Sequence, residues 1–296
     1  MTRTPESHYH TAAVCRGDDG SLPASPSVPT EGQADTCSGR VEIIGDCTLY
    51  MEDCREIIGI IPRADAVITS PPYNCGMDYG TASDSLGLDD YREFLRACVF
   101  EIEADRLCVN VGNYIGSRSD RVRTADILRE VCGGWPLLDE IIWDKGPANG
   151  AAWGNYPTSP RIRAQHEMVY VYGDAPLRSD SGISWPDWSR LTTSIWRIPA
   201  QVDLAEHPAQ MPVALADRLV RLYTPADGLV VDPFMGSGTT GIAAAMTGRR
   251  FIGIEIDPDH FDTACRRIEA AYKQPRLFAD PTPKAVQGTM FRGDAA

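Results

Sequence analysis

No apolar run in this sequence is long enough to cross a membrane, because charged residues interrupt each one well short of the ~18 residues that a span needs. The first 40 residues also lack the apolar core of a secretory signal, so the expectation is a cytoplasmic chain. Disulfide and zinc frameworks lack their spacing signatures. The nine cysteines are odd in number, scattered, and form no C-x-x-C pair, which reads as reduced thiols. Of the five histidines only His8 and His10 lie close together, and no metal site is expected. There is no internal repeat. Nor is there an excess of positive charge: 28 Lys and Arg face 41 Asp and Glu, leaving −13. That excludes a general polycationic surface but not one local basic groove.

The charge that is present falls unevenly. Residues 41–110 carry 14 acids and 5 bases, whereas residues 111–200 carry 10 of each. The neutral middle segment is therefore the best host for a polyanion, and arginine dominates its bases. Arginine suits phosphate and base-edge recognition better than lysine does. With 43% apolar residues over 296 positions the chain can bury a core. Residues 1–39 and 278–296 are polar and aperiodic and read as a disordered extension and a flexible tail, leaving a folded unit over 40–277. Within it, short apolar runs at 41–44, 66–68, 106–111, 138–143, 168–172, 229–231 and 251–254 read as strands. They alternate with helical patterns, including one with Tyr91, Phe94, Leu95, Cys98 and Ile102 on one face. Such alternation predicts an α/β, doubly wound, mostly parallel sheet covered on both faces.

Two turns carry the chemistry. After the run at 229–231 comes Asp232-Pro233-Phe234 and then Met235-Gly236-Ser237-Gly238-Thr239-Thr240-Gly241. Gly236, Gly238 and Gly241 match G-x-G-x-x-G between a strand and a helix, the context that such a turn requires. Glu255 ends the strand that follows this turn and its helix, where a carboxylate can accept both hydroxyls of a ribose. No lysine follows the glycines, so this is not a P-loop. The turn permits a dinucleotide, S-adenosylmethionine or only a tight bend, and the preceding Asp232-Pro233-Phe234 favours S-adenosylmethionine.

The second turn, Thr69-Ser70-Pro71-Pro72-Tyr73-Asn74, follows a buried strand end, the place where ligands sit in open α/β sheets. Methylation of an aromatic exocyclic amine needs such an arrangement. The amine lone pair is delocalised into the ring, and two fixed acceptors can hold its hydrogens and favour a tetrahedral nitrogen. The Ser70 hydroxyl and the Pro71 carbonyl can be those acceptors, with Pro71 and Pro72 keeping them aimed. Tyr73 can stack on the base, worth ~1–3 kcal/mol, which helps offset unstacking from duplex DNA.

Together the two turns resemble the hallmark motifs of S-adenosylmethionine-dependent DNA amino-methyltransferases, which modify cytosine N4 or adenine N6. The Ser-Pro-Pro-Tyr turn comes well before the glycine turn in the chain, an order similar to the circularly permuted beta class, in which the target-recognition region lies between them. His207-Pro208 and Gly45-Asp46 resemble further elements of that class, as do Trp143-Asp144-Lys145 and the segment 163–172. The resemblance implies a permuted Rossmann-like methyltransferase fold over 40–277, with 146–200 as a small inserted recognition region. It implies S-adenosylmethionine as cofactor, with Gly236, Ser237, Gly238, Phe234 and Thr239 on the cofactor-facing turn. Asp232 would lie near the cofactor's amino group, Glu255 on its ribose and Asp46 on its adenine edge, and His207 and Gln210 would flank its carboxylate. Ser70, Pro71, Pro72 and Tyr73 would hold the target base. Arg161, Arg163, Arg178 and Arg190 are the candidate contacts to double-stranded DNA. Serine at position 70 favours cytosine N4 over adenine N6. A homodimer and a cognate restriction endonuclease stay open as partners. Two other readings compete: a methyltransferase acting on a protein glutamine amide, against which turn order and Ser70 argue, and a non-catalytic nucleotide-binding protein, which leaves Ser70 to Tyr73 unexplained.

Overall fold

The computed structural model describes residues 39–74, 78–79, 82–83, 85–112, 122–146, 165–173, 183, 185–200 and 210–273. The strands are β1 (Arg40–Ile44), β2 (Cys47–Met51), β3 (Ala66–Thr69), β4 (Asp78–Tyr79), β5 (Ala82–Ser83), β6 (Arg106–Gly112), β7 (Leu137–Asp144), β8 (His166–Gly173), β9 (Ile195–Arg197), β10 (Leu229–Asp232) and β11 (Arg250–Glu255). The α-helices are α1 (Cys54–Ile57), α2 (Leu88–Leu95), α3 (Thr124–Val131), α4 (Trp185–Leu191), α5 (Val213–Tyr223), α6 (Thr239–Thr247) and α7 (Pro258–Lys273). Nine strands make one sheet in the order β1-β2-β11-β10-β3-β6-β8-β7-β9, and β4 pairs with β5 apart from it.

The run from β2 through β11, β10 and β3 to β6 is parallel. Buried on both faces, these strands feed two separate cores, because successive side chains point to opposite sides. Val230, Ala66, Ile68 and Phe251 pack with α5, α6 and α7 in one core. Leu229, Val231, Val67 and Ile252 pack with α2 and α3 in the other. The sheet is not parallel throughout. Strand β8 is inserted antiparallel between β6 and β7, so residues 166–173 of the expected recognition insertion belong to the catalytic sheet. The rest of that insertion includes 147–164, 174–182 and 184, which lie outside the described residues.

The amino-terminal reading also changes. Gly45, at φ +58°, turns the chain into a β1–β2 hairpin, so the first strand is followed by a second strand before any helix. Cys47 and Leu49 then face one core and Tyr50 the other, the two-residue period of a strand. Helix begins only at α1, where Asp53 caps the amide of Arg55. Tyr91, Leu95, Cys98 and Ile102 are buried and Phe94 is partly buried against them, with α2 continuing into a π-helical turn at Arg96–Phe100.

Parallel pairing brings the carboxyl ends of β2, β3, β10 and β11 to one edge. The crossover from β10 to β11 runs over one face through α6, and that from β3 to β6 over the other through α2. The crevice between β10 and β3 is therefore a topological switch point, the favoured ligand position in such sheets. Gly238 starts α6 at φ +82°, and a Cβ there would come 2.9 Å from the Ala264 Cβ of α7. The left-handed backbone alone costs a non-glycine residue ~1–2 kcal/mol. We therefore expect Gly238→Ala to lower the thermal midpoint by several degrees; an unchanged midpoint in a melting experiment would contradict this packing role.

Candidate active site

A cavity of about 390 Å³ opens at the switch point, within the roughly 300–1,000 Å³ of small-molecule sites. Its walls come from four strand ends: Glu52 and Asp53 after β2, Ser70 to Tyr73 after β3, Asp232 to Ser237 after β10, and Glu255 at the end of β11. Thr239 and Gln210 also line it. The two turns singled out by sequence thus share one cavity although they lie far apart along the chain.

The buried Asp232 joins them. Its Oδ1 accepts from the Thr69 hydroxyl at 2.7 Å and from the Phe234 amide at 3.1 Å, and its Oδ2 accepts from the Thr240 hydroxyl at 2.7 Å. One carboxylate therefore clamps the residue before Ser70, the turn after β10 and the first turn of α6. Burial pushes its carboxyl up to about 6, against the lowering effect of the hydroxyl donors. The expected contact to a cofactor amino group is thus joined by a bracing role.

Around Ser70 the backbone is held by its surroundings. The Tyr91 hydroxyl donates to the Pro72 carbonyl at 2.6 Å and the Thr124 hydroxyl to the Tyr73 carbonyl at 3.0 Å. Asn74 adopts φ +53° and clasps both backbone groups of Leu86. Among the described residues none donates to the Pro71 carbonyl, and Pro71 lines the cavity. Tyr73 packs its ring at Gly112, where a Cβ would come 3.0 Å from it. Its hydroxyl lies 2.9 Å from Ser70 Oγ and donates to Glu167 at 3.0 Å.

On the glycine turn, both oxygens of Glu255 accept backbone amides, from Gly236 at 2.8 Å and from Asp257 at 2.9 Å. Burial raises its carboxyl while these amides lower it. A carboxylate offers about four lone-pair sites, so two remain for a vicinal diol. Arg267 of α7 donates to the Ser237 carbonyl at 2.7 Å and to its hydroxyl at 2.6 Å. The Gln210 amide reaches the same hydroxyl at 2.5 Å. Gly236 and Phe234 line the cavity, with the Phe234 ring packed at 5.4 Å against Phe94. Gly238 does not line it, because its side faces α7.

Asp46 is a correction. It sits exposed in the β1–β2 turn, and its carbonyl accepts from Phe251 at the start of β11, the opposite end of the sheet from the cavity. The hairpin displaces the expected element, and Glu52 and Asp53 occupy the carboxyl end of β2 instead. Arg190 is exposed on α4 and is not among the residues lining the cavity. His207, Arg161, Arg163 and Arg178 lie outside the described residues. Asn110, Lys145 and Glu167, which meet beside Ser70, were not singled out individually from the sequence, since single polar residues on strands form no local motif.

A family model described as DNA methylase, N6_N4_Mtase, matches residues 64–266. The type II methyltransferase M.ScaI of Streptomyces caespitosus is 25% identical over 252 residues, covering 76% of this chain and 82% of that protein. A Thermus thermophilus protein described as a putative DNA modification methylase, solved with S-adenosyl-L-methionine, aligns at TM-score 0.56 and 29% identity over 75% of this chain and 93% of that one. The cytosine-N4-specific PvuII DNA methyltransferase aligns at TM-score 0.60 over 80% of this chain and 89% of that one, and at 19% identity it speaks to the fold alone.

The raised Asp232 carboxyl has a measurable consequence. The folded state holds this proton more tightly than the unfolded chain, so the group's stabilising contribution is complete below about pH 4 and is lost as the pH climbs through about 6. Asp232→Asn removes that loss. From pH 4 to 6 its thermal midpoint is expected to rise more, or fall less, than that of the unmodified chain; parallel curves would contradict the assignment.

Proposed function

This chain belongs to the DNA methylase family, and on that premise we propose that it transfers a methyl group from S-adenosylmethionine to the exocyclic amine of a base flipped out of double-stranded DNA, cytosine N4 in preference to adenine N6. The observation that carries the reading is the meeting of the Ser70–Tyr73 turn and the glycine turn in one cavity, clamped by Asp232. Serine at position 70 supports the cytosine preference. The order of the two turns along the chain supports membership of the permuted beta class.

The cavity's donors and acceptors fit the cofactor. The two free lone-pair sites of Glu255 suit the ribose hydroxyls. Glu52 and Asp53 take the place expected of Asp46 beside the adenine, while Ser237, Gln210 and Thr239, with the backbone at Gly236, suit the methionine end. His207 remains an expected neighbour of the carboxylate. When bound, S-adenosylmethionine supplies an electrophilic methyl on a sulfonium. The protein's part is to orient the amine. Ser70 Oγ and the Pro71 carbonyl accept its hydrogens, and Tyr73 supports the ring. Holding both reactants in line is worth up to ~7–11 kcal/mol at ideal alignment, and no covalent enzyme intermediate is needed. DNA recognition is assigned to the parts of residues 146–200 outside β8 and β9, with Arg161, Arg163, Arg178 and Arg190 as its candidate contacts.

Mass spectrometry of nucleosides from DNA treated with the purified protein and S-adenosylmethionine is expected to show N4-methylcytosine. N6-methyladenine would keep the class and reverse the base, and no methylated base with varied DNA and confirmed cofactor binding would overturn the reading. Glu255→Gln sets an amide hydrogen against the backbone N–H of either Gly236 or Asp257 and leaves a weaker acceptor for the ribose. Losing charged acceptor strength worth ~1.5–3 kcal/mol, it should weaken S-adenosylmethionine binding by about 10- to 100-fold in calorimetry; unchanged affinity would contradict the ribose assignment.

A further inference from the structure

Behind the Ser70–Tyr73 turn lies a part-buried polar chain that base capture alone does not require. Glu167 stands on β8 opposite Gly112 of β6 and beside Trp143 of β7. Its Oε2 accepts from the Tyr73 hydroxyl at 3.0 Å and from Asn110 Nδ2 at 2.7 Å, and its Oε1 pairs with Lys145 Nζ. The side chain is 14% exposed. Asn110, buried on β6, also reaches Tyr73 Oη at 2.9 Å. Tyr73 Oη in turn lies 2.9 Å from Ser70 Oγ.

Proton counting orders this chain. An ionised carboxylate accepts only, and a hydroxyl carries one hydrogen. The Tyr73 hydrogen is committed to Glu167, and the Asn110 amide hydrogens also point toward Tyr73 Oη and Glu167. The Ser70–Tyr73 contact is then made by the Ser70 hydrogen pointing at Tyr73 Oη. Asn110 Nδ2 also lies 3.4 Å from Ser70 Oγ, but its two hydrogens are taken by the shorter contacts to Tyr73 Oη and Glu167, so Ser70, which lines the cavity, keeps its lone pairs as acceptors for an amine. Reversing the chain would turn the tyrosine hydrogen toward Ser70 and occupy one of those lone pairs.

We propose that Glu167, held by Lys145 and Asn110, is a positioning residue that sets the direction of the Ser70–Tyr73 hydroxyl chain and receives the proton released by methyl transfer. This rests on the amine-methylation reading above. As the N–CH₃ bond forms and the S–CH₃ bond breaks, the electron pair of the broken bond stays on sulfur and the positive charge moves to the amine nitrogen. One amine proton passes to Ser70 Oγ, the serine proton to Tyr73 Oη, and the tyrosine proton to Glu167 Oε2. The carboxylate becomes a neutral acid, both hydroxyls are restored, and the proton leaves to water from the partly exposed Glu167.

The test is single-turnover methylation of DNA at saturating S-adenosylmethionine by the full chain and by Tyr73→Phe, Glu167→Gln and the double variant. Positioned proton transfer contributes about 10²–10⁴-fold, so each single variant is expected to lose at least about 100-fold in rate while keeping its cofactor affinity. Because both changes break one chain, the double variant should be no slower than the slower single. A rate for Tyr73→Phe within about twofold of the unmodified chain would overturn the proposal, and this arm decides alone if Glu167→Gln fails to fold. Multiplying losses in the double variant would overturn it as well. An unmodified chain that methylates no DNA points instead to failure of the methylation reading; a methylating chain with indifferent variants sinks the proton route only.

Discussion

The site depends on one buried carboxylate. Asp232 ends β10 at the centre of the sheet, where desolvation disfavours its charge. It is retained there by three donors from three segments: Thr69, Phe234 and Thr240. Those bonds fix the distance between the end of β3 and the start of α6, which carry the two halves of the proposed chemistry. Hydrogen bonds to a charged acceptor contribute ~1.5–3 kcal/mol each. The network offsets part of the desolvation, since the carboxyl stays raised with all three donors in place.

The parallel sheet supplies everything else at the same edge. Strands β2, β3, β10 and β11 run in one direction, so their carboxyl ends deliver acids, the proline turn and the glycine turn without long loops. Helices on both faces leave the crevice between β10 and β3 uncovered. The antiparallel β8 then brings Glu167 alongside Asn110 of β6 and behind Tyr73. The inserted strand thus ties the far half of the sheet to the turn that would hold the base.

Much of this was legible in the sequence because both turns are contiguous and sit after apolar runs that can only be strands. Proline and glycine punctuation carries that information locally. The alternating order of strands and helices was legible for the same reason. What was not legible depends on pairing. Gly45-Asp46 reads as the end of a first strand, and only the hairpin to β2 shows that the acids facing the cavity are Glu52 and Asp53. The resemblance placed Gly236 and Gly238 on the cofactor-facing turn. In the fold, Gly238 and Gly241 are required by α7 and Phe251, because neighbouring elements pack on the side of α6 away from the cavity. Lys145, Glu167 and Asn110 are widely separated along the chain; only the β6–β8–β7 register brings them together.

A crystal structure of the chain with S-adenosylhomocysteine and a substrate duplex would test the central claim most directly. The account predicts a base rotated out of the helix into the cavity, its exocyclic nitrogen about 3 Å from both Ser70 Oγ and the Pro71 carbonyl and facing the cofactor sulfur. A base left in the duplex, or bound with its amine directed away from Ser70 while the cofactor occupies the glycine turn, would contradict it.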